Sequence, residues 1–271
     1  VETPIINPRG ISLIEAPEGH APNLANAETL PLGHDIYLLG EVHDNPLHHR
    51  GQAAMIDTID PAAVVFEQLS VRAGDVANAT PRDDLTAFGE AIRWDDSGWP
   101  PFRIYAVIFD ALDDAAIVGM AEPFGQARAA FSDGAAATFG PAAEAYGLNS
   151  ALDAKEQTRR EQLQFNAHCA AMPLEMMGGM VEAQRYRDAV FARAIKQAHE
   201  THGGPVAVIL GHGHARKDWG VPRYLERIAP DLSVYSVGFV ETGARDLPFD
   251  LRIETEAAVR SDPCGTLAPK T

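Results

Sequence analysis

The chain has 271 residues, 46% of them hydrophobic, and a formal net charge of −16 at pH 7. Length and apolar content suit one large α/β domain with a full core and exclude global disorder. The surplus of acid argues against a nucleic acid partner, which needs Lys and Arg for its phosphates, and against an anionic membrane surface.

Residues 1–34 are rich in Pro, Asn and Gly and read as an irregular lead-in with one short strand at Ile11–Ile14. Asp35–Leu39 is apolar and β-favouring, and runs into Gly40-Glu41-Val42-His43-Asp44. From His49 to about Ile59, residues Ala53, Met55, Ile56 and Ile59 follow a helical period. Ala63–Phe66 is a second buried strand, ending on Glu67. Residues 78–115 read as helical, interrupted between Trp94 and Pro101, before the strand Ala116–Met120 runs into Glu122. Residues 124–202 carry no strand pattern and read as helices, Met180–His199 being the longest. After Gly203-Gly204-Pro205 come the strands Val206–Leu210 and Leu232–Val240, the first running into Gly211-His212-Gly213-His214-Ala215-Arg216. The tail from Arg245 is polar and contains Pro.

Alternating strands and helices imply crossover connections and a mostly parallel sheet core with flanking helices. One α/β domain over 1–271 is expected, with its core at about 35–77, 116–123 and 203–250. Helical insertions at about 78–115 and 124–202 would form a cap subdomain. All four reactive clusters then lie along the carboxyl edge of the sheet, where open α/β folds place ligands.

Residues there allow metal binding or acid–base chemistry. In an extended backbone, side chains alternate with period two, so Glu41 and His43 can share one side. That suits a metal-ligand pair or a general base held by a carboxylate; the plainer alternative is a polar turn that caps the next helix. Glu67 is either a site carboxylate or a surface residue beyond the core. His212 and His214 alternate with glycines and can face one way. Glu41, His43, Glu67, His212 and His214 are therefore the candidate metal ligands, and Glu41, His43, Glu67 and His214 the candidate catalytic residues.

Cys169 and Cys264 form no C-x-x-C pair, which excludes a zinc ribbon; one disulfide or two free thiols are both open. The insertion carries His168-Cys169 and then Met172, Met176, Met177 and Met180, a stripe more often core than cofactor wall. Arg185, Arg187, Arg193 and Arg216 could hold one anion, the plainer reading being solvated helix faces. No stretch approaches the roughly 20 apolar residues of a membrane span. No signal peptide is visible, and with Val1 at the start no location is read from that. G-x-S-x-G, P-loop and H-E-x-x-H motifs are missing from the sequence.

Gly40-Glu41-Val42-His43-Asp44-Asn45, with His48, His49 and Gln52, resembles the opening motif of the ChaN-like haem-binding lipoprotein family. That family shares a superfamily with Tiki proteases and erythromycin esterases. Glu67, Trp94 to Trp99 and Tyr105, His168-Cys169, Gln184 to Asp188, Gly211 to Pro222 and Asp262-Pro263-Cys264 fit in order. Where a family member often has Asn, this chain has His212, which adds an imidazole.

The resemblance implies an α/β core with a helical insertion, a bacterial envelope location (periplasmic or lipid-anchored) and haem binding for uptake or handling. It also implies a homodimer and envelope haem-uptake proteins as partners. The family's best-known example binds haem iron through tyrosine, in a dimer with stacked haems. Here Tyr186, Tyr105 and His168 are the axial-ligand candidates, and Arg216 the candidate for a propionate. The superfamily also allows a second function, a divalent-metal-dependent esterase or peptidase built on the Glu/His cluster.

Overall fold

The computed structural model describes residues 30–244, 247–261 and 264. The predicted strand at Ile11–Ile14, and Asp262 and Pro263 of the family pattern, lie outside them.

In chain order the elements are β1 (Ile36–Glu41), α1 (Pro46–Ile59), β2 (Ala63–Ser70), α2 (Val71–Ala79), α3 (Leu85–Ala91), α4 (Phe102–Asp110), β3 (Ala116–Ala121), α5 (Phe124–Asp133) and α6 (Ala135–Phe139). There follow α7 (Ala154–Ala167), α8 (Met177–His202), β4 (Val206–Gly211), α9 (His212–Ala215), α10 (Val221–Ile228), β5 (Val234–Glu241) and β6 (Leu251–Thr255). The strands form one parallel sheet of order β3-β2-β4-β1-β5-β6.

Central strands buried on both faces read as continuous apolar runs, because alternate residues must satisfy two cores. Tyr37, Leu39, Val64, Phe66, Ile209 and Phe239 enter the core that α1 and α4 cover. Ile36, Leu38, Val65, Val208 and Leu210 enter the opposite core, under α8 and α10. Each such side chain removed from water stabilises the fold by about 1.5–3 kcal/mol.

Local signals set the helix that follows the first cluster. Asn45 caps α1, accepting from the Leu47 N–H, and Pro46 sits in the first turn. α8, the long insertion helix, packs against β2, β3 and β4 and reaches the carboxyl edge of the sheet. The expected helical insertion is therefore present, with α8 laid on one face of the sheet. Strand β6 was not expected from the sequence.

Candidate functional site

β1, β2 and β4 deliver Glu41, Glu67 and Gly211 side by side, Glu41 lying in register with Gly211. Two glycines make room. A Cβ on Gly40 would come within 2.7 Å of the Ala215 Cβ and 2.9 Å of the His212 Cα, so α9 could not pack on β1. A Cβ on Gly211 would come within 2.9 Å of His43 Nε2 and 3.6 Å of Glu67 Oε2.

Glu41 is buried and its Oε1 is crowded with donors. His43 Nδ1 lies at 2.9 Å, Gln68 Nε2 at 3.0 Å and the Tyr105 hydroxyl at 2.7 Å. His49 Nε2 is 3.4 Å from Oε2. Burial alone would raise the Glu41 pKa, but the His49 charge and the hydrogen bond from His43 outweigh it, so the carboxyl stays ionised well below the usual range. His43 also feels burial, which opposes its charge; the Glu41 hydrogen bond and the Glu67 and Glu41 charges prevail, and its pKa is raised. Its side chain is 33% exposed and its ring packs against Trp99 at 4.7 Å.

Glu67 sits inside β2 rather than after it, where the pairing with β3 shifts register between Phe66 and Ser70. Its Oε2 accepts the Gly211 N–H at 2.6 Å and its Oε1 accepts Arg187 Nη2 at 2.5 Å. Against the cost of burial, the His214 and Arg187 charges hold its pKa down.

His214 forms the second imidazole–carboxylate pair. Its Nδ1 lies 2.6 Å from Asp188 Oδ1, and its Nε2 faces Glu67 Oε1 at 3.6 Å. Gln184 Nε2 is 3.0 Å from Nδ1 and 3.3 Å from Nε2. Asp188 is fully buried with Oδ2 unpartnered, and burial pushes its pKa up despite His214. Two imidazoles, each oriented through Nδ1, thus turn toward one buried glutamate and its arginine.

Of the other candidate residues, His212 and Tyr105 touch Glu41, while His168 and Arg216 are held by other partners. His212 Nδ1 lies 3.0 Å from the Glu41 carbonyl oxygen, and burial lowers its pKa. Tyr105 is fully buried, stacked on His49 and bound to Glu41. His168 ends α7 with Nδ1 on the Gln164 carbonyl, beside a disulfide between Cys169 and Cys264. Arg216 is buried over the Trp219 ring and held by both oxygens of Asp218.

Among the described residues, no group of three or more His, Cys, Asp or Glu is arranged to hold a metal ion. Among the proposed ligands, Glu41 Oε1 takes three donors, His43 Nδ1 pairs with Glu41 and His214 Nδ1 with Asp188, while Glu41 Oε2 has no hydrogen bond. Among the described residues, no helix is long and apolar enough to cross a membrane.

A cleft of about 1010 Å³ opens from Glu67 outward. One wall is α8, with Tyr186, Arg187, Val190 and Phe191. The other is α2 with the segment around Trp94 and Trp99, and the floor is the end of β2 and of β3. Tyr186 donates its hydroxyl hydrogen to Glu122, which also accepts from Arg193 at 2.9 Å. Burial, then the Glu122 hydrogen bond and charge, raise the phenol's pKa.

A family model described as haem-binding uptake, Tiki superfamily, ChaN matches residues 32–225. No curated protein matches the chain. A solved structure described as cofacial haem binding to ChaN of Campylobacter jejuni is 18% identical with a TM-score of 0.61, over 83% of this chain and 88% of that one. This likeness is one of fold. The type III effector HopBA1 (TM-score 0.46, 11% identity, 83% of this chain and 88% of that one) and an erythromycin esterase EreC mutant (TM-score 0.41, 10%, 82% and 72%) are more distant.

Proposed function

Because the chain belongs to the ChaN family of the Tiki superfamily, whose model is described as haem-binding uptake, we propose that it binds haem in the cleft between α8 and α2. One observation carries the reading: an apolar-walled cleft, large enough for a drug-sized or larger ligand, has a tyrosine hydroxyl on its wall. Haem supplies a Lewis-acidic iron that a tyrosine oxygen can ligate.

Of the three ligand candidates, only Tyr186 lines the cleft among the described residues. Its hydroxyl donates to Glu122, itself a cleft residue paired with Arg193, and Glu122 would take the phenol proton when the oxygen ligates iron. Val190, Phe191, Leu69 and Trp99 offer the flat macrocycle apolar contact. With Arg216 committed to Asp218, Arg187 takes over as the arginine of the cleft. A disulfide is at home in an oxidising compartment, which supports an envelope location. Service in haem uptake, a homodimer and envelope uptake proteins as partners belong to the same proposal and rest on the family alone.

The test is a haemin titration read by visible absorbance. A saturable Soret shift is expected, altered by Tyr186→Phe and unaltered by Tyr105→Phe or His168→Ala. A shift that survives Tyr186→Phe unchanged removes the assignment of the ligand; no shift at all removes haem.

The two imidazole–carboxylate pairs favour a second reading, hydrolysis of an ester or peptide by water. His43, partly exposed and biased toward its charged form, suits protonation of a leaving group. His214, oriented by Asp188, suits removal of a proton from water. Glu41 braces His43, and Glu67 with Arg187 supplies the charge between them. The metal-dependent form of this reading has no support in the arrangement of donors. A screen of ester and peptide substrates, with and without added Mn, Zn or Co, should show turnover that His43→Gln abolishes. Substrates untouched under every condition would sink it.

A further inference from the structure

The charges lining the cleft are equal in number but unequally engaged. Six charged side chains line it: Arg72, Arg93, Arg187, Glu67, Asp96 and Glu122. Arg93 is paired with Asp96 at 2.7 Å, and Glu122 with Arg193, which stands behind it. Glu67 takes the Gly211 N–H and faces His214 as well as Arg187, so its buried charge has three supports. Arg187, by contrast, is 36% exposed at its side chain. Among the described residues it gives Glu67 a single hydrogen bond, through Nη2, while its Cζ lies 5.3 Å over the Phe191 ring. Arg72 is exposed at the cleft and has no ion-pair partner among the described residues. In a chain of net charge −16, this leaves two guanidinium groups with donors to spare on one apolar-walled cleft.

A guanidinium is a planar fork of five donors that matches carboxylates. One laid over an aromatic ring and hydrogen-bonded on one edge is pre-organised, so little rotamer entropy is lost when its other edge is used. We propose that the cleft selects a flat ligand by its carboxylates, with Arg187 as anchor at the sheet edge and Arg72 as a second cation on the α2 wall. It would therefore bind a metal-free dicarboxylate tetrapyrrole as well as the iron complex. This rests on reading the cleft as a tetrapyrrole site but not on iron ligation. Tyr186 answers to the metal and Arg187 to the acid groups.

The experiment compares three probes on the full chain by fluorescence and absorbance: metal-free protoporphyrin IX, its dimethyl ester and haemin. The diacid should bind within about tenfold of haemin, and the diester at least about tenfold more weakly, the worth of one charge-assisted hydrogen bond. Arg187→Met should bring the diacid-to-diester ratio close to one, and Arg187→Lys should retain part of it. Arg72→Ser, which leaves Glu67 untouched, should reduce the ratio by a smaller factor. The wild-type comparison needs no variant, so loss of folding in Arg187→Met would not blunt it. Equal binding of diacid and diester by the wild-type chain overturns the proposal. Haemin binding without diacid binding overturns it too and leaves the haem reading standing. Diacid-selective binding without a haemin Soret shift supports it and removes the iron instead.

Discussion

The two imidazole–carboxylate pairs beside Glu67 are built on different principles. Glu41 and His43 are two residues apart on one stretch of chain, and the carboxylate is locked by Gln68 and Tyr105 as well. His214 and Asp188 are 26 residues apart, one on the sheet edge and one on the insertion helix; Glu41 and Asp188 each keep one oxygen without a hydrogen bond. The first pair belongs to the frame of the core; the second exists only when α8 is docked. A carboxylate held by three donors of the surrounding core is part of the fold's stability, whereas one paired only across a docked helix is closer to a working part.

The comparison breaks most directly at Glu41. Glu41→Ala strands the Tyr105 hydroxyl, the Gln68 amide and the His49 imidazole in the core, and should cost about 3–5 kcal/mol in urea unfolding. Asp188→Asn keeps the shape of the second pair and removes a charge that burial already disfavours, so about 1–2 kcal/mol is expected. Equal costs for the two would erase the distinction drawn here.

The smallest effect comes from pH. The pKa of His43 is raised in the folded state, so its charged form stabilises the fold below the unfolded value, about 6.5. That contribution is lost as pH rises through the folded value. The stability difference between wild type and His43→Gln should therefore shrink between pH 6 and 9 by no more than about 1 kcal/mol, since a third of the side chain meets solvent. A difference that grows with pH would mean that Glu41 does not hold the charged imidazole.

The same contrast explains what could be read in the sequence. β1, β3 and β4 are within two residues of the expected strands because unbroken apolar runs have few other homes. The Glu41–His43 pair followed from the period of two. β2 runs to Ser70 rather than ending at Phe66, because Glu67 reads as a strand end while in the fold it turns into a polar pocket at a register shift. β6, Leu251–Thr255, is short, lies at the sheet's edge and alternates apolar with charged residues, a signal easily lost in a polar tail. His214 with Asp188 could not be paired from spacing; the only trace was Gln184 and Asp188, four apart on one helical face. Arg216 read as a free cation, although Asp218 and Trp219, which hold it, follow within three residues.

The bond between Cys169 and Cys264 closes a covalent ring across a separation of 95 residues. α8, β4, α10, β5 and β6 all lie within that ring, so half the sheet and the helix carrying Tyr186, Arg187 and Asp188 belong to one closed loop. A protease that cuts any single peptide bond inside it opens the ring without releasing a fragment. Cleaved and intact chains would keep the same mass, apart from one water, until a reductant separates the pieces.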